Sequence, residues 1–328
     1  MLHSNKNAAL KKTLTIATRA NNLTPRISAI MPAYNAASTI RESIASVLAQ
    51  TYPNLELVVV DDGSTDETAE IVKALGNADR RIQYLFQKNQ GAVTARNTGV
   101  AAATSELIAI IDADDLWHPA KIARQLATMS DSRDVVVLTG LQRFHLVDGQ
   151  KVWGRVSIPP PPTDERYPLF ELLLLDGFQM VLMNTALMPR ATVLKVGGFR
   201  HWTAHDWYMW IEASKHCRFR VIEEPLFFYR KHAASVTARQ QALKVLDEHE
   251  KIIRDQASRA NLSWIAEARA LTAKRMDVCG HMIYGQRIND ARHVLIRALR
   301  NPVGWLHPYV WRRSIELLRI TLHHPTQI

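Results

Sequence analysis

Cysteine is scarce in this chain of 328 residues, which contains only Cys217 and Cys279. Two cysteines so far apart form neither a close-spaced metal pair nor a disulfide framework, so zinc-finger and small disulfide-rich classes are excluded. The simplest expectation is a protein kept in a reducing compartment.

Long apolar runs are missing as well. No run reaches the roughly 18 apolar residues that span a bilayer. The first 25 residues contain Lys6, Lys11 and Lys12 but lack the continuous apolar segment of a signal peptide. We therefore expect a cytoplasmic protein, with peripheral attachment to the inner face of the membrane as an open alternative.

Acidic residues are outnumbered, with 31 Asp and Glu against 41 Lys and Arg, for a net charge of +10 and a pI near 9.7. An excess of this sign favours an anionic partner but does not identify it. Zinc fingers, RNP-type aromatic motifs and long basic tracts are missing from the sequence, so nucleic acid is not an expected partner.

Short apolar runs alternate with helical patterns from Arg26 onward. The runs ISAIMP, LELVVVDD, RIQYLF, LIAII and DVVVLTG predict buried strands, and amphipathic stretches between them predict helices. This alternation predicts an α/β fold with a doubly wound, mostly parallel sheet and a ligand site at the carboxyl ends of its strands.

The remaining segments suggest the domain organisation. The stretch IPPPPTDERYP (158–168) cannot continue a helix or a central strand. After about residue 238 the sequence is rich in helix formers. We predict a flexible tail over 1–25, a catalytic domain over 26–237 and a helical C-terminal extension over 238–328.

Three carboxylates lie within four positions at the end of the LIAII strand: Asp112, Asp114 and Asp115. Carboxylates at i and i+2 past a strand end can face one cavity, and a divalent cation relieves their repulsion. Oxygen ligands of this kind suit Mg²⁺ or Mn²⁺ completed by substrate phosphates. The alternative is acidic capping of the helix that follows Pro119.

Four segments resemble glycosyltransferase family 2 in order and spacing. They are AIMPAYNAASTIRESIASVLAQTYPNLELVVVDDGSTDET, NQGAVTARNTGVAAATSELIAIIDADD, GGFRHWTAHDWYMWIEA and EEPLFFYRKHAASVT. The resemblance covers roughly residues 26–237. It implies the GT-A fold, a nucleoside diphosphate sugar donor and a metal-dependent transfer.

The resemblance also implies a nucleotide site. The family's nucleotide loop corresponds to Pro32, Ala33, Tyr34 and Asn35. Tyr34 would offer a ring face to the base and Asp61 an acceptor for a base N–H, while Arg96 matches an arginine near the nucleotide. The alternatives are a surface aromatic, a turn aspartate and a solvated helix arginine.

Asp112-Ala113-Asp114 matches the family's DXD motif. The resemblance assigns Asp112 to the ribose or a metal-bound water and Asp114 to the cation that bridges the two phosphates. Ala113 lies between them in the donor site. Asp115 either caps or orients, or it contacts the donor sugar.

The resemblance also implies a catalytic base. Asp206 stands where the family carries the aspartate of its acidic pair, and it would accept the acceptor hydroxyl proton in an inverting transfer. His205 and Tyr208 replace acids frequent in the family, which leaves acceptor preference open. In YRKH, His232 is a candidate second metal ligand, the alternative being an exposed loop histidine.

The expected activity is therefore inverting transfer from a nucleoside diphosphate sugar, with UDP as the favoured nucleotide, to a glycan or lipid-linked acceptor in surface polysaccharide synthesis. A haloacid-dehalogenase-type phosphohydrolase and a sugar nucleotidyltransferase fit less well, because the DXD follows several strands and PAYNAAST has no Gly-rich basic loop. A catalytically decayed nucleotide-sugar-binding or scaffold protein stays open as the non-enzymatic alternative.

The C-terminal segment from about Ile265 mixes arginines with apolar side chains. It contains Arg292, Arg297, Arg300, Arg312, Arg313 and Arg319 among Leu295, Ile296, Leu299, Trp305, Trp311, Leu317 and Leu318. An anionic membrane surface is one candidate partner for this segment. A helical cap with solvated arginines is the other reading, and Pro302 and Pro308 prevent a single long helix.

Overall fold

The computed structural model of the protein describes residues 25–130, 132, 134–162, 182–200, 205–232, 242–284, 287–300, 310–311 and 314–315. The strands within these ranges are β1 (Ile27–Ala33), β2 (Leu55–Asp61), β3 (Ile82–Phe86), β4 (Leu107–Ile110), β5 (Leu116–Trp117), β6 (Val135–Val147), β7 (Gln150–Ser157), β8 (Met188–Pro189) and β9 (Arg218–Arg230).

Helices alternate with the first strands and then dominate the C-terminal third. The helices within the described ranges are α1 (Ile40–Leu48), α2 (Thr68–Ala78), α3 (Ala92–Ala102), α4 (Lys121–Met129), α5 (Arg190–Lys195), α6 (His205–Ser214), α7 (Ala242–Arg259), α8 (Trp264–Tyr284) and α9 (Ile288–Leu299). A short 3₁₀ turn spans Met183–Thr185.

The main sheet has the order β3-β2-β1-β4-β8, in which the first four strands are parallel and β8 is antiparallel. Every residue of β1, β2 and β4 is buried, as expected for parallel strands covered on both faces. The prediction of an α/β fold with a mostly parallel sheet is confirmed. Because β1 pairs Ala33 with Asp61 of β2, the carboxyl ends of these strands meet at one edge.

The second sheet, with the order β5-β9-β6-β7, was not anticipated. The strand predicted to end at Gly140 continues to Val147 as β6 and turns back into β7. The two turn residues, Asp148 and Gly149, have φ of 50° and 76°. Two positive φ values match the type I′ turn that Asp-Gly favours between antiparallel strands.

The helical extension shares a core with the α/β domain. Ile252 and Ile253 of α7 and Leu271 of α8 belong to the same cluster of buried side chains as Trp207 and Tyr208 of α6. The helix α6, which carries Asp206, is therefore packed from behind by the extension.

Ion pairs hold the extension together. The buried carboxylate of Glu250 in α7 accepts hydrogen bonds from Arg254, from Arg275 of α8 and from Arg297 of α9. Arg297 also pairs with Asp247. Of the arginines considered for a membrane contact, Arg297 is thus engaged within the protein, and Arg312, Arg313 and Arg319 lie outside the described residues.

A lysine in α4 is buried in the α/β domain, and its burial predicts how the stability of the fold depends on pH. Lys121 is fully buried; its Nζ donates to Oε1 of Gln125 at 2.9 Å and lies 4.5 Å from the centroid of the Trp117 ring. Burial lowers the pKa of Lys121 to about 7. In the unfolded chain the ordinary pKa of a lysine is about 10.4.

Between these two pH values the unfolded chain keeps a proton that the folded chain has released. The free energy of unfolding should therefore rise with pH above about 7, by roughly 1.4 kcal/mol per pH unit from this group. We expect Lys121→Met to remove this slope in urea denaturation at pH 7.5 and 9, and the exposed-site control Lys88→Met to keep it. Equal slopes in the wild type and Lys121→Met would contradict a neutral buried lysine.

Candidate active site

The DXD segment lies at the carboxyl edge of the main sheet, directly after β4. The amide of Ile111 still donates to the carbonyl of Ile30, and the amide of Asp115 donates to the carbonyl of Asp112 to close a turn. Thr39 and Ser43 donate their hydroxyls to the carbonyl of Ala113, both at 2.9 Å. The loop after β1 and the start of α1 therefore hold the DXD backbone.

Asp112 lies between a cation and an amide. Its Oδ1 accepts a hydrogen bond from Nη2 of buried Arg96 at 2.8 Å, and its Oδ2 accepts one from Nδ2 of Asn184 at 2.9 Å. Burial disfavours the charge of Arg96, but the carboxylates of Asp112, Asp206 and Asp115 together raise its pKa. A cation charged at all working pH values thus balances part of the carboxylate cluster.

Asp115 is almost fully buried, and its role in this structure is to join elements. It accepts hydrogen bonds from the amide of Arg230 at 2.9 Å and from Nδ2 of Asn184 at 3.2 Å. Burial raises the pKa of Asp115 well above its usual range, and the charges of Asp114 and Asp112 add to that effect. These contacts agree with an orienting role for Asp115, and the helix after Pro119 has no side-chain cap.

Asp114 and His232 form the partly exposed side of the cluster. Oδ2 of Asp114 lies 2.8 Å from Nε2 of His232, and each side chain is about one third exposed. Burial and the charge of Asp112 raise the pKa of Asp114, while the contact with His232 opposes that shift.

This donor set fits a divalent cation. A carboxylate oxygen and an imidazole nitrogen are ligands that Mn²⁺ accepts, and carboxylates that repel each other are stabilised by positive charge. Within the described ranges, no group of three or more His, Cys, Asp or Glu side chains is arranged to hold a metal ion. Asp114 and His232 are the two residues that sequence analysis named as metal ligands.

Arg230 connects the DXD segment to its surroundings. Its Nε donates to the carbonyl of Asp114 at 2.6 Å, its Nη2 contacts Glu42 of α1 at 2.5 Å, and its guanidinium lies 4.8 Å from the centroid of the Phe144 ring. Glu42 also pairs with Lys151 of β7 at 2.6 Å. The second sheet is thereby linked to the carboxylate cluster.

Two of these contributors were missed by sequence analysis. Asn184 follows the Pro-rich stretch and belongs to none of the four recognised segments, so no local signal marks it. Glu42 lies inside a recognised segment but has the pattern of an ordinary helix-surface residue. Only their contacts with Asp112, Asp115 and Arg230 identify them.

The loop after β1 presents an aromatic ring. Pro32 and Ala33 are buried as the last residues of β1, whereas Tyr34 is 52% exposed. Asn35 has a φ of 47°, and its Oδ1 accepts a hydrogen bond from the amide of Thr65 at 2.8 Å. This contact ties the loop after β1 to the loop after β2.

Asp61 is fully buried beneath that loop. Its oxygens accept hydrogen bonds from the amide of Ser64 at 2.9 Å and from the hydroxyl of Tyr84 at 2.7 Å. Burial, followed by the contact with Asp61, raises the pKa of Tyr84. Phe86, which pairs in register with Asp61, is 63% exposed and adds an aromatic ring that sequence analysis did not select.

Asp206 lies in the first turn of α6. Its Oδ2 accepts a hydrogen bond from the amide of Met183 at 3.1 Å, one residue before Asn184, and its charge acts on Arg96. Tyr208, one of the two departures from the family pattern, is buried in the core, and the side chain of His205 lies outside the described residues. Arg96 therefore interacts with both sites: it donates a hydrogen bond to Asp112 and is stabilised by the charge of Asp206.

The loop before α6 is tied to the helix that carries Arg96. Asn97 of α3 donates to the carbonyl of Phe199 and accepts from its amide, both at 2.8 Å. Gly198 has a φ of 76°, and a Cβ there would lie 2.7 Å from Oδ1 of Asn97. The second glycine of GGF thus permits this close approach.

Comparison with known proteins gives the family of this chain. Residues 28–187 match the family described as Glycosyl transferase family 2. An uncharacterized glycosyltransferase of Rickettsia prowazekii is 33% identical over 243 residues, which cover 71% of each chain. The Escherichia coli UDP-Glc:alpha-D-GlcNAc-diphosphoundecaprenol beta-1,3-glucosyltransferase WfgD is 33% identical over 190 residues, covering 58% of this chain and 70% of that protein.

Two solved structures share the fold at low sequence identity. Staphylococcus aureus TarS 1–349 has a TM-score of 0.61 and 19% identity, with 92% of this chain and 91% of that chain covered. Mannosyltransferase PcManGT from Pyrobaculum calidifontis, solved with GDP-Man and Mn²⁺, has a TM-score of 0.52 and 18% identity, with 95% and 96% covered. The expected GT-A fold is confirmed, and the chain belongs to glycosyltransferase family 2.

Proposed function

We propose that the protein is an inverting glycosyltransferase that moves a hexosyl group from a nucleoside diphosphate sugar, with UDP as the favoured nucleotide, to a glycan or lipid-linked acceptor in surface polysaccharide synthesis. The observation that carries this proposal is the cluster of Asp112 and Asp114 beside Arg96, which donates a hydrogen bond to Asp112. The charge of Asp206 also contributes to the raised pKa of Arg96, so the base candidate lies near the same cation. A transfer that separates charge between a leaving diphosphate and an attacking hydroxyl needs groups of these kinds.

The donor would lie across the carboxyl edge of the main sheet. Tyr34 offers an exposed ring for the base. Asp61 accepts hydrogen bonds from Ser64 in the loop after β2 and from Tyr84 of β3, which fixes that loop against the sheet. Asp112, positioned by Arg96 and Asn184, faces the ribose end of the donor. Direct contact of Asp61 with a base N–H would require this part of the site to open, because the Asp61 side chain is fully buried and already accepts two hydrogen bonds.

Asp114 and His232 would hold Mg²⁺ or Mn²⁺ against the diphosphate. A divalent cation at this place neutralises the charge that develops on the leaving nucleoside diphosphate. Asp115 and Arg230 position Asp114 from behind, because the amide of Arg230 donates to Asp115 and its Nε to the carbonyl of Asp114.

Asp206 would act as the base. The backbone amide of Met183 donates a hydrogen bond to Oδ2 of Asp206 and so orients that oxygen. The next residue, Trp207, is buried in the core and fixes the start of α6. The acceptor oxygen would attack the anomeric carbon on the face opposite the nucleoside diphosphate, whose bond to that carbon breaks, so that the configuration inverts. Asp206 would take the hydroxyl proton as the new bond forms.

The acceptor class rests on a relative. WfgD is named for transfer to a diphosphoundecaprenol-linked sugar, which supports a lipid-linked acceptor for this chain. None of the helices within the described residues combines the length and apolarity needed to cross a bilayer. We propose a peripheral enzyme at the cytoplasmic face of a membrane.

A screen of nucleotide sugars tests the proposal against a decayed binding protein. We expect one UDP-sugar to raise the melting temperature only when Mn²⁺ or Mg²⁺ is present, since a ligand at 100 times its Kd stabilises by about 2.7 kcal/mol. The same donor should be hydrolysed slowly to UDP when no acceptor is added. Stabilisation without any hydrolysis or transfer would favour the decayed scaffold, and no stabilisation by any donor would refute the proposed function.

A further inference from the structure

The hairpin formed by β6 and β7 extends beyond the rest of the second sheet. The pairing of β6 with β9 ends at Phe144 and Arg230, and beyond that point β6 pairs only with β7. We call residues 145–153 the hairpin tip. In the described part of the chain, these residues lie on a two-stranded ribbon at the edge of the sheet.

The hairpin tip exposes apolar side chains on both faces. Leu146, Val147, Val152 and Trp153 are 48%, 48%, 42% and 46% exposed. Leu146 pairs with Lys151, and Phe144 pairs with Trp153. Because paired residues share a face and neighbours alternate, Leu146 and Trp153 lie on one face and Val147 and Val152 on the other.

This distribution favours a bilayer over a flat protein surface. A rigid protein surface covers one face of a ribbon, whereas the headgroup and upper acyl region of a bilayer surrounds an inserted tip on both faces. Exposed apolar side chains that cluster rather than scatter mark an interaction surface. Trp153 is also held in place, with its ring 5.4 Å from Phe144 and 5.0 Å from Phe228 between centroids.

The charges around the tip complement an anionic surface. The hairpin from Leu141 to Ser157 contains Arg143, Lys151 and Arg155 against the single acid Asp148, and Lys151 is shared with Glu42 of α1. Lys231 follows directly after β9, and its amide donates to the carbonyl of Phe144 at 2.7 Å. Basic side chains near a membrane surface are attracted to anionic lipid.

The root of the hairpin reaches the carboxylate cluster. Phe144 packs against Arg230, which contacts the carbonyl of Asp114, and Lys151 pairs with Glu42, which also contacts Arg230. We propose that the hairpin tip inserts into the headgroup region of an anionic lipid bilayer and seats the active site beside it. That the bilayer supplies the acceptor rests on the proposed function; the docking itself does not.

The docking is tested by cosedimentation of the full chain with vesicles of phosphatidylglycerol and phosphatidylcholine at low salt, without donor. We expect the wild type to bind, to release as salt rises, and to bind vesicles of phosphatidylcholine alone at least tenfold more weakly. The variant Leu146→Gln/Val147→Gln/Val152→Gln should lose at least tenfold in partitioning, and Arg155→Glu should weaken binding at low salt. These side chains are exposed, so folding and hydrolysis of a soluble donor should persist.

The matched control is Ile265→Gln/Ile296→Gln, which changes similarly exposed side chains on α8 and α9. It should bind vesicles as the wild type does. Loss of binding in this control with retention in the tip variant would assign membrane contact to the helical extension and overturn the proposal. Absence of vesicle binding by the wild type would also overturn the proposal. So would a wild-type dimer in light scattering that the tip variant dissociates, because a second copy would then cover the tip.

Failure of the docking and failure of the proposed function are distinguishable. Vesicle binding is measured without nucleotide, and donor-dependent stabilisation is measured without vesicles. A protein that binds a UDP-sugar but no vesicle contradicts only the docking, and one that binds vesicles but no nucleotide sugar contradicts only the proposed function.

Discussion

Asp206→Asn is expected to lower kcat by about two to four orders of magnitude while the Kd of the donor stays within a few-fold of the wild type. The amide keeps the shape of the carboxylate and can still accept the hydrogen bond from Met183, so α6 should keep its position. What is lost is the ability to take a proton from the acceptor hydroxyl. The measurement is kcat at saturating donor, paired with the Kd of the donor by calorimetry without acceptor.

Glu212→Gln is the matched control for this prediction. Glu212 lies on the same helix, but its carboxylate contacts Lys215 and, on α7, Gln256, both through hydrogen bonds. We expect this variant to lose some stability and to retain most of its kcat. Near-normal transfer by Asp206→Asn, or a larger loss of kcat in Glu212→Gln than in Asp206→Asn, would refute the assignment of Asp206 as the base.

Asp114→Asn is expected to abolish cation-dependent turnover and to leave the fold intact or slightly more stable without cation. Burial and the charge of Asp112 raise the pKa of Asp114, so its ionised form is disfavoured in the folded protein until positive charge is added. The neutral amide removes that repulsion and removes an anionic cation ligand at the same time. The substitution should therefore leave the melting temperature unchanged or slightly raised without cation, and should remove the increase in melting temperature that the cation causes.

In that experiment the melting temperature is recorded with and without Mn²⁺ in the presence of UDP. The wild type should be stabilised by the cation, Asp114→Asn should not respond, and Asp247→Asn on α7 should respond as the wild type does. Turnover that persists in the wild type when a chelator is present would refute the assignment of Asp114 to a cation.

Local patterns in the sequence are enough to predict the four parallel strands of the main sheet and the place of the DXD segment. No run marks the two-residue edge strand β8, and DVVVLTG, expected in the same alternation, lies in the second sheet as β6. Unbroken apolar runs such as LIAII suit strands that are buried on both faces, and the alternation with helices leaves few topologies. The end of each run also marks a carboxyl end, which is why Asp112 and Asp114 could be placed at the sheet edge from their position in the chain. Family resemblance then assigned their roles.

The second sheet was harder to predict, although one signal was present. Asp148-Gly149 between two β-prone runs is typical of a type I′ hairpin, but a prediction that ends the strand at Gly140 leaves this turn outside it. The exposed apolar side chains of β7 also lack the polar and apolar alternation of a half-buried strand. β5 has only two residues and exists through its pairing with β9.

Contacts between distant residues were decided only by the folded chain. Asn184 reaches Asp112 across 72 positions, Arg230 reaches Glu42 across 188, and Asp61 is enclosed by Tyr84 rather than open to the surface. A sequence pattern reports the environment along one element, because side-chain period and capping are local properties. Which carboxylate lies beside which cation depends on how strands and helices pack, and that is a property of the whole chain.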